Sequence, residues 1–452
     1  MTKPLFDKGP AAEQDSEPAQ PLGGAPRLRT PQRQQVEMHW LALDELLAAD
    51  HPARAIWQAV CGLDLSLWLE NIQAVEGFPG RDATDPRLLV ALWVYATVDG
   101  VGSARRLAKL CGEQDGQLGY RWLCGHVTLN HHTLSDFRSQ HGAAWDELLT
   151  QIAAALMHEG LVSLNRVAQD GMRVEADAGK SSFRRQGTLA ACLTEARAQV
   201  EALKQLSDED ANKLTQRERA ARERAARERE QRVLQAIENC AELQKQREER
   251  AKISCEPVKE ARASTTDPEA RNMKFPNGGY GPGYNVQFCT DTVSGVIVGV
   301  DVTNAGSDAE EFPPMLDQLQ QRYGQTPAEG LVDGGFATKE TINAAADQGC
   351  LVFAPVKDQK KQQAAGKNPF EKKRGDTPAV AAWRERMGTA AAKLVYKLRA
   401  QTAEWVNAFA RNRGFYTMPV RGLEKCRMVT ALYAITHNLI QGAKLRAEAA
   451  MN

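Results

Sequence analysis

The chain has 452 residues, of which 42% are apolar and 25% charged, too long for one ordinary core and long enough for two or three domains. Its 57 Lys and Arg balance 57 Asp and Glu, so any nucleic-acid footprint has to be local rather than global. No apolar run approaches the roughly 20 residues of a membrane span, the start has no segment of signal-peptide type, and nine scattered cysteines in an odd count fit reduced thiols in a cytoplasmic protein, with no disulfide framework.

Residues 1–35, rich in Pro, Gly, Gln and Ala, read as a disordered tail. From 36 to 160 the pattern is helical. Apolar residues recur at three and four spacing in WLALDELLAA and RLLVALWVYATV, and Asp85-Pro86 supplies a cap and a first-turn proline for the second. After Gly100 and Gly102, SARRLAKLC and the stretch Thr133–His141 predict two short helices. These are compatible with a helix-turn-helix module and equally with a plain helical bundle.

LVSLNRVAQDGMRV is β-leaning and reads as a strand carrying Asp170 near its end. The polar stretch 186–262 has Arg and Glu at helical spacing. Narrow apolar stripes (Leu193, Val200, Leu203, Leu206; Val233, Leu234, Ile237, Leu243) predict an antiparallel helical hairpin inserted as a solvated element. From 280 the β pattern returns as GYNVQFCTD and GVIVGVDVTN, separated by a turn at Asp291–Gly295. A helix (Ala309–Arg322), the strand GLVDGG ending in Asp333, a helix (Thr338–Gln348) and the strand CLVFAPV follow. The order predicts an α/β core with a mixed sheet. Residues 356–376 read as a basic loop and the last 70 as helical.

The chain carries no G-x-x-x-x-G-K loop, G-x-G-x-x-G turn, G-x-S-x-G elbow or H-E-x-x-H pair. What remains is carboxylates. Asp170 precedes Gly171, and Asp333 precedes Gly334-Gly335. Glycine there would let a bulky partner approach a strand-end carboxylate, although Asp-Gly is also a common turn. At about 100° per residue, Lys397, Gln401, Asn407 and Arg411 lie within roughly 60° of Glu404, while Val395, Leu398, Thr402, Trp405, Val406 and Phe409 form an apolar face. Glu404 would thus sit on a basic face, as a metal-and-phosphate site or a solvated amphipathic helix requires. Between Lys393 and Arg427, eight cations face only Glu404 and Glu424, and the loop before adds Lys357, Lys360, Lys361, Lys367, Lys372, Lys373 and Arg374. Such a stripe suits phosphate-backbone binding.

Four blocks in this order resemble the DDE transposases of bacterial insertion sequences: RVAQDGMRVEADAGKSSFRR, TTDPEARNMKFPNGGYGPGYNVQ, LVDGGF, and YKLRAQTAEWVNAFARNRGF with VRGLEKCR and HNL after it. The resemblance runs from about residue 36 to 442. Tyr396, Arg399 and Glu404 match that family's Tyr–Arg–Glu signature, whereas Arg411 stands where many relatives carry Lys, and Glu175 where a basic residue would be expected. The resemblance implies an RNase H-like catalytic domain over 161–442 with a mixed five-stranded sheet. An all-α DNA-binding domain would occupy 36–160, the insertion 186–262, and a C-terminal tail 443–452. It also implies Asp170, Asp333 and Glu404 as catalytic ligands of two Mg²⁺ ions, with Mn²⁺ able to substitute. Tyr396, Lys397, Arg399, Arg411, Arg413, Arg421 and Lys425 would contact DNA. The partners would be the element's terminal inverted repeats and target duplex, bound by a homodimer near the nucleoid. An inactive DNA-binding descendant and a two-metal nuclease on the same fold are the alternatives.

Overall fold

A computed structural model describes residues 41–451 apart from 71, 73, 75–81, 113–115, 206–215 and 255–256. The expected tail at 1–35 and Leu206 of the expected stripe lie outside the described residues.

Eight helices open the described chain: α1 (Leu43–Leu46), α2 (Pro52–Cys61), α3 (Ser66–Leu69), α4 (Pro86–Val98), α5 (Ala104–Leu110), α6 (Leu118–Cys124), α7 (His131–Gln140) and α8 (Gly142–His158). α4 is central, because every residue from Leu88 to Ala96 is buried. Its start is the one the sequence predicts: the Asp85 carboxylate accepts from the Arg87 amide, and Pro86 fills the first turn. Asp44 and Glu45 stand in the first turn of α1, which covers only four residues of the longer helix expected there. The Trp93 indole donates to the Leu134 carbonyl at 3.0 Å. The buried Arg138 guanidinium lies 4.1 Å over the Trp93 ring and donates to the Gly102 carbonyl, so that its charge is solvated by a ring face and a backbone oxygen.

The sheet then assembles from β1 (Arg166–Glu175), β4 (Arg271–Lys274), β5 (Tyr280–Asp291), β6 (Ile297–Thr303), β7 (Glu329–Leu331) and β8 (Leu351–Phe353). β6, β5 and β1 pair antiparallel, β1, β7 and β8 pair parallel, and β4 extends the β5 edge that β6 occupies. The expected five strands are thus present in a mixed sheet, and β4 is a sixth. α11 (Phe312–Tyr323) and α12 (Lys339–Asp347) connect the parallel strands. α13 (Gln359–Ala364) interrupts the expected basic loop, and α14 (Pro378–Gly388), α15 (Ala390–Arg399), a π-helical turn (Ala400–Glu404), α16 (Trp405–Asn412) and α17 (Leu423–Met451) complete the chain. α17 runs on through the residues expected as a C-terminal tail, where Ala, Lys, Leu, Arg and Glu favour helix.

The insertion is a hairpin of α9 (Gln186–Lys204) and α10 (Gln216–Ser254), closed at its base by a two-stranded ribbon of β2 (Phe183–Arg184) and β3 (Ala263–Ser264). It has its own small core of Leu189, Ala236, Cys240, Ala261 and Ala263. The large core, by contrast, is shared. One apolar cluster runs from Leu47 through α4 and α8 to Val286 and Phe288 on β5 and Ile435 on α17. A second, around Phe312, Leu331, Phe353 and Trp383, fills the space beside the parallel strands. Among the described residues, packing is therefore continuous across residue 160.

Candidate active site

Register places the two aspartates together. β1 and β7 pair in parallel up to Ala168 opposite Leu331, and there the pairing stops. Two residues further on each chain stand Asp170 and Asp333, so the two carboxylates flank the point where the strands part, a common ligand position in open α/β sheets. Asp170 itself is in mid-strand, opposite Phe288 of β5, and not near the strand end as its sequence suggested. The Asp333 carboxylate accepts from the Gly335 amide at 2.6 Å, which turns the chain away from β7.

Glu404 arrives from the other side on the π-turn. On an α-helix residues five apart stand about 140° from each other. A π-turn, closed by i→i+5 hydrogen bonds, brings them onto one side. Arg399 and Glu404 are five apart across that turn, and they meet at 3.1 Å. The same guanidinium reaches Asp170 Oδ1 at 2.8 Å. The other Asp170 oxygen, Oδ2, accepts at 2.9 Å from the Asn407 side-chain amide.

That last contact lies on the side of Glu404 where 100° steps place Asn407, but the burial differs from that expected of a polar face. Lys397 and Gln401 are exposed as expected, but Asn407 is 4% exposed, Arg411 is half-buried, and Trp405, expected in the apolar face, is 39% exposed. The extra residue in the π-turn changes the phase of Lys397 and Gln401 against Glu404, not that of Asn407 and Arg411, which follow Glu404 in regular α-helix or at its end. The signal for Asn407 was present in the sequence: an amide within roughly 60° of Glu404 on the helical wheel.

Charges in the site are coupled. Burial pushes the Asp170 carboxyl above its usual range, the Arg399 charge opposes this, and Asp333 adds to it. For Arg399 burial opposes the charge, but Asp170, Tyr396, Asp333 and Glu404 outweigh it and hold the proton more firmly than usual. Burial also raises the Tyr396 hydroxyl, with Arg399 opposing and the three carboxylates reinforcing. Tyr396, Arg399, Asp170, Asp333 and Glu404 therefore share one electrostatic neighbourhood.

The opposite face of β1 carries a second polar group that the sequence did not single out. Asp308, in the loop before α11, accepts from Arg173 at 3.1 Å, Asn285 at 2.6 Å and Gln287 at 2.8 Å. Burial pushes its carboxyl up, and these donors, Arg173 foremost, bring it below the usual range. Gly171 lies beneath them. A Cβ there would stand 2.7 Å from Gln287 Nε2 and 2.9 Å from Asn285 Oδ1, and nearer still to Asp308. The glycine beside Asp170 thus admits this network; it faces away from the side on which a bulky ligand was expected.

Of the expected DNA-contacting residues, Lys397, Arg421 and Lys425 are exposed. Arg421 pairs with Asp177 at 3.0 Å. Arg413 is placed differently: its guanidinium lies 3.4 Å over the Phe409 ring, and its Nε is buried without a partner. Lys357, Lys360, Lys361, Lys367, Lys372 and Arg374 are all exposed. Glu175, exposed at the end of β1, is held through its backbone by Tyr416 and Met418.

Among the described residues no three His, Cys, Asp or Glu side chains are gathered closely enough to hold a metal. The donor set nevertheless suits a hard divalent cation, which prefers oxygen ligands. Asp170, Asp333 and Glu404 share the electrostatic neighbourhood of Arg399, whose guanidinium pairs with both Asp170 and Glu404. No helix among the described residues is long and apolar enough to cross a membrane.

Residues 257–438 match the family model described as Transposase DDE domain, and residues 41–140 match Transposase domain (DUF772). The first match takes in Asp333 and Glu404 and begins in the last residues of the insertion, after Asp170. The second spans α1 to α7. No curated protein and no solved structure matches the chain. A DDE domain implies an RNase H-like core, nuclease and transposition chemistry, and a general dependence on divalent metal. With the two domains in this order, the pairing typical of bacterial insertion sequences, the chain belongs to the DDE transposases.

Proposed function

We propose that the chain binds the terminal inverted repeats of its own insertion sequence and carries out cut-and-paste transposition by metal-dependent strand cleavage and strand transfer, with Asp170, Asp333 and Glu404 as the catalytic carboxylates. The observation that carries this reading is the convergence itself. Two aspartates distant in sequence flank one strand-parting point, and the glutamate is tied to the first of them through a single guanidinium. Strand order β6-β5-β1-β7-β8, antiparallel then parallel, supports the RNase H-like assignment.

Asp170, Asp333 and Glu404 would hold two Mg²⁺ ions, which when bound supply activation of the attacking oxygen and charge stabilisation at the departing 3′ oxygen. The protein's own groups do the rest. Asn407 fixes one oxygen of Asp170, so that the carboxylate keeps a single orientation. Arg399, once turned from its two carboxylates, offers a permanent cation to a DNA phosphate beside the reacting bond. Lys397 and the exposed lysines of 357–372 extend that cationic surface outward. Helices α1 to α7 would read the repeats, and two copies of the chain would bring two ends together.

The test uses the DNA flanking the reading frame as a labelled duplex, incubated with purified protein in Mg²⁺ or Mn²⁺ beside the Asp333→Ala variant. Metal-dependent cuts at the repeat terminus, followed by joining to a second duplex and lost in the variant, are expected. Cleavage without joining would indicate a nuclease, and cleavage untouched by the substitution would overturn the triad.

A further inference from the structure

The base of the helical insertion carries a cluster of cations for which the carboxylate site has no use. Arg229 and Arg232 on α10 face Thr265 and Thr266, just past β3, and Arg421 in the loop before α17, across an open cavity of about 370 Å³. Elsewhere the hairpin neutralises itself through pairs such as Arg197–Glu230 at 3.2 Å and Arg219–Glu223 at 3.4 Å. Here the three guanidiniums line the cavity, while the carboxylates that pair with them stand outside its lining: Glu195 at 3.6 Å from Arg229, Glu228 at 3.8 Å from Arg232 and Asp177 at 3.0 Å from Arg421. Exposed pairs of this kind, and the bond from Arg229 to Gln199 at 2.9 Å, are weak enough to yield to a better anion. Arg232 also keeps an Nε that is shielded from solvent and has no partner.

Planar guanidiniums converging with a hydroxyl are the donor set that matches a phosphate, whose oxygens accept paired N–H bonds. We propose that this cavity binds a phosphate group, and that the phosphate is one of the DNA backbone. The insertion would then grip DNA at its base, although its total charge is balanced. The choice of DNA as the source rests on the transposase reading; the anion site itself does not. Distance supports the choice. Asp177, which holds Arg421, follows Asp170 by seven residues along β1 and its continuation. At about 3.3 Å per residue a chain of that length reaches at most roughly 23 Å, or up to about seven phosphates along one strand of a duplex whose cleavage site lies at the carboxylates.

The experiment compares the full chain with the Arg229→Gln/Arg232→Gln variant and with Arg222→Gln/Arg224→Gln, which removes the same charge from exposed positions of α10 away from the cavity. Thermal unfolding is followed with inorganic phosphate in metal-free buffer, and anisotropy of an element-end duplex is followed over a salt series. Phosphate is expected to raise the melting temperature of the parent and the control but not of the cavity variant. DNA affinity of the cavity variant should fall about 10-fold, and its log–log salt slope by about one to two, with the control close to the parent. Arg421→Gln, which approaches the cavity from the core side, should reproduce both effects without altering the insertion. Phosphate protection with an unchanged salt slope would support the anion site with free phosphate as its source. No phosphate protection and equal DNA binding by parent and variant would overturn the proposal. A parent that binds phosphate in the cavity but no duplex would sink the transposase reading and leave the site standing.

Discussion

Asp170 keeps both of its oxygens engaged, one by Arg399 at 2.8 Å and one by Asn407 at 2.9 Å. The two donors differ in what they offer. Arg399 is a charge that phosphate or metal can draw off, whereas Asn407 is neutral, 4% exposed and anchored in the face that packs on the core. Its loss leaves a buried carboxylate short of a donor, which costs about 1.5–3 kcal/mol. Asn407→Ala is therefore expected to lower cleavage about 10- to 100-fold and to shift its Mn²⁺ dependence to higher concentration, with duplex binding retained. Unchanged metal dependence would show that Asn407 serves packing alone. Gly171 is the counterpart on the other face. In Gly171→Ala the new methyl has to push apart three hydrogen-bonded groups around Asp308, and such overpacking costs about 1–3 kcal/mol. A urea midpoint equal to the parent's would mean that this network gives way freely.

At the scale of elements, α17 is docked on the β5–β6 hairpin by side chains that imitate a strand. Asn438 accepts from the Ile297 amide at 2.8 Å and donates to the Ile297 carbonyl at 2.7 Å, while Gln441 donates to the Ser294 carbonyl at 2.7 Å. His437, between the Trp405 and Phe409 rings, meets the Gly295 carbonyl at 2.9 Å. Burial lowers its pKa from 6.5 to about 4. A base depressed in the folded state stabilises the fold above its unfolded pKa and loses that contribution as pH falls through the folded one. Stability should therefore drop between pH 6.5 and 4, by up to about 3 kcal/mol from this group. His437→Gln is expected to be less stable at pH 7 and to show a flatter decline over that window. Parallel melting curves for the two proteins would exclude His437 as the source. The π-turn is the other decisive element. It brings Glu404 onto the side of Arg399, five residues earlier, which regular helical phase does not, and Asn407 then follows Glu404 at ordinary helical phase.

For the molecule as a whole, the insertion and the core are built to different rules. The hairpin rests on a five-residue apolar cluster and exposed ion pairs, while one continuous cluster joins the N-terminal helices, the sheet and α17. Excision of 187–260 with a short linker across the β2–β3 ribbon should leave a folded protein with a similar melting temperature. Metal-dependent cleavage should persist with weaker DNA affinity, since Arg229 and Arg232 leave with it. Loss of the cooperative transition would show that the hairpin supports the core. Detachment of residues 43–160 is expected to be far more damaging, because α4 and α8 pack directly on α17.

Several features were legible in the chain because they are local. The cap at Asp85-Pro86 needs only two residues, the hairpin's stripes need only helical period, and the alternation of strand and helix after residue 280 needs only periodicity and turns. Asp170, Asp333 and Glu404 could be picked out by residue type and neighbours, and the family by blocks in order. The placing of the two aspartates side by side could not, because it follows from the register of β1 on β7, a pairing of segments far apart in the chain. Tertiary structure also decided Asn407's role, since the carboxylate it serves, Asp170, stands on β1 far away in the chain. It likewise decided the function of Gly171, whose partners Asn285, Gln287 and Asp308 come from β5 and the loop before α11. Periodicity and capping act over a few residues and are written in the sequence, whereas which charge faces which is settled only when distant strands and helices share one core.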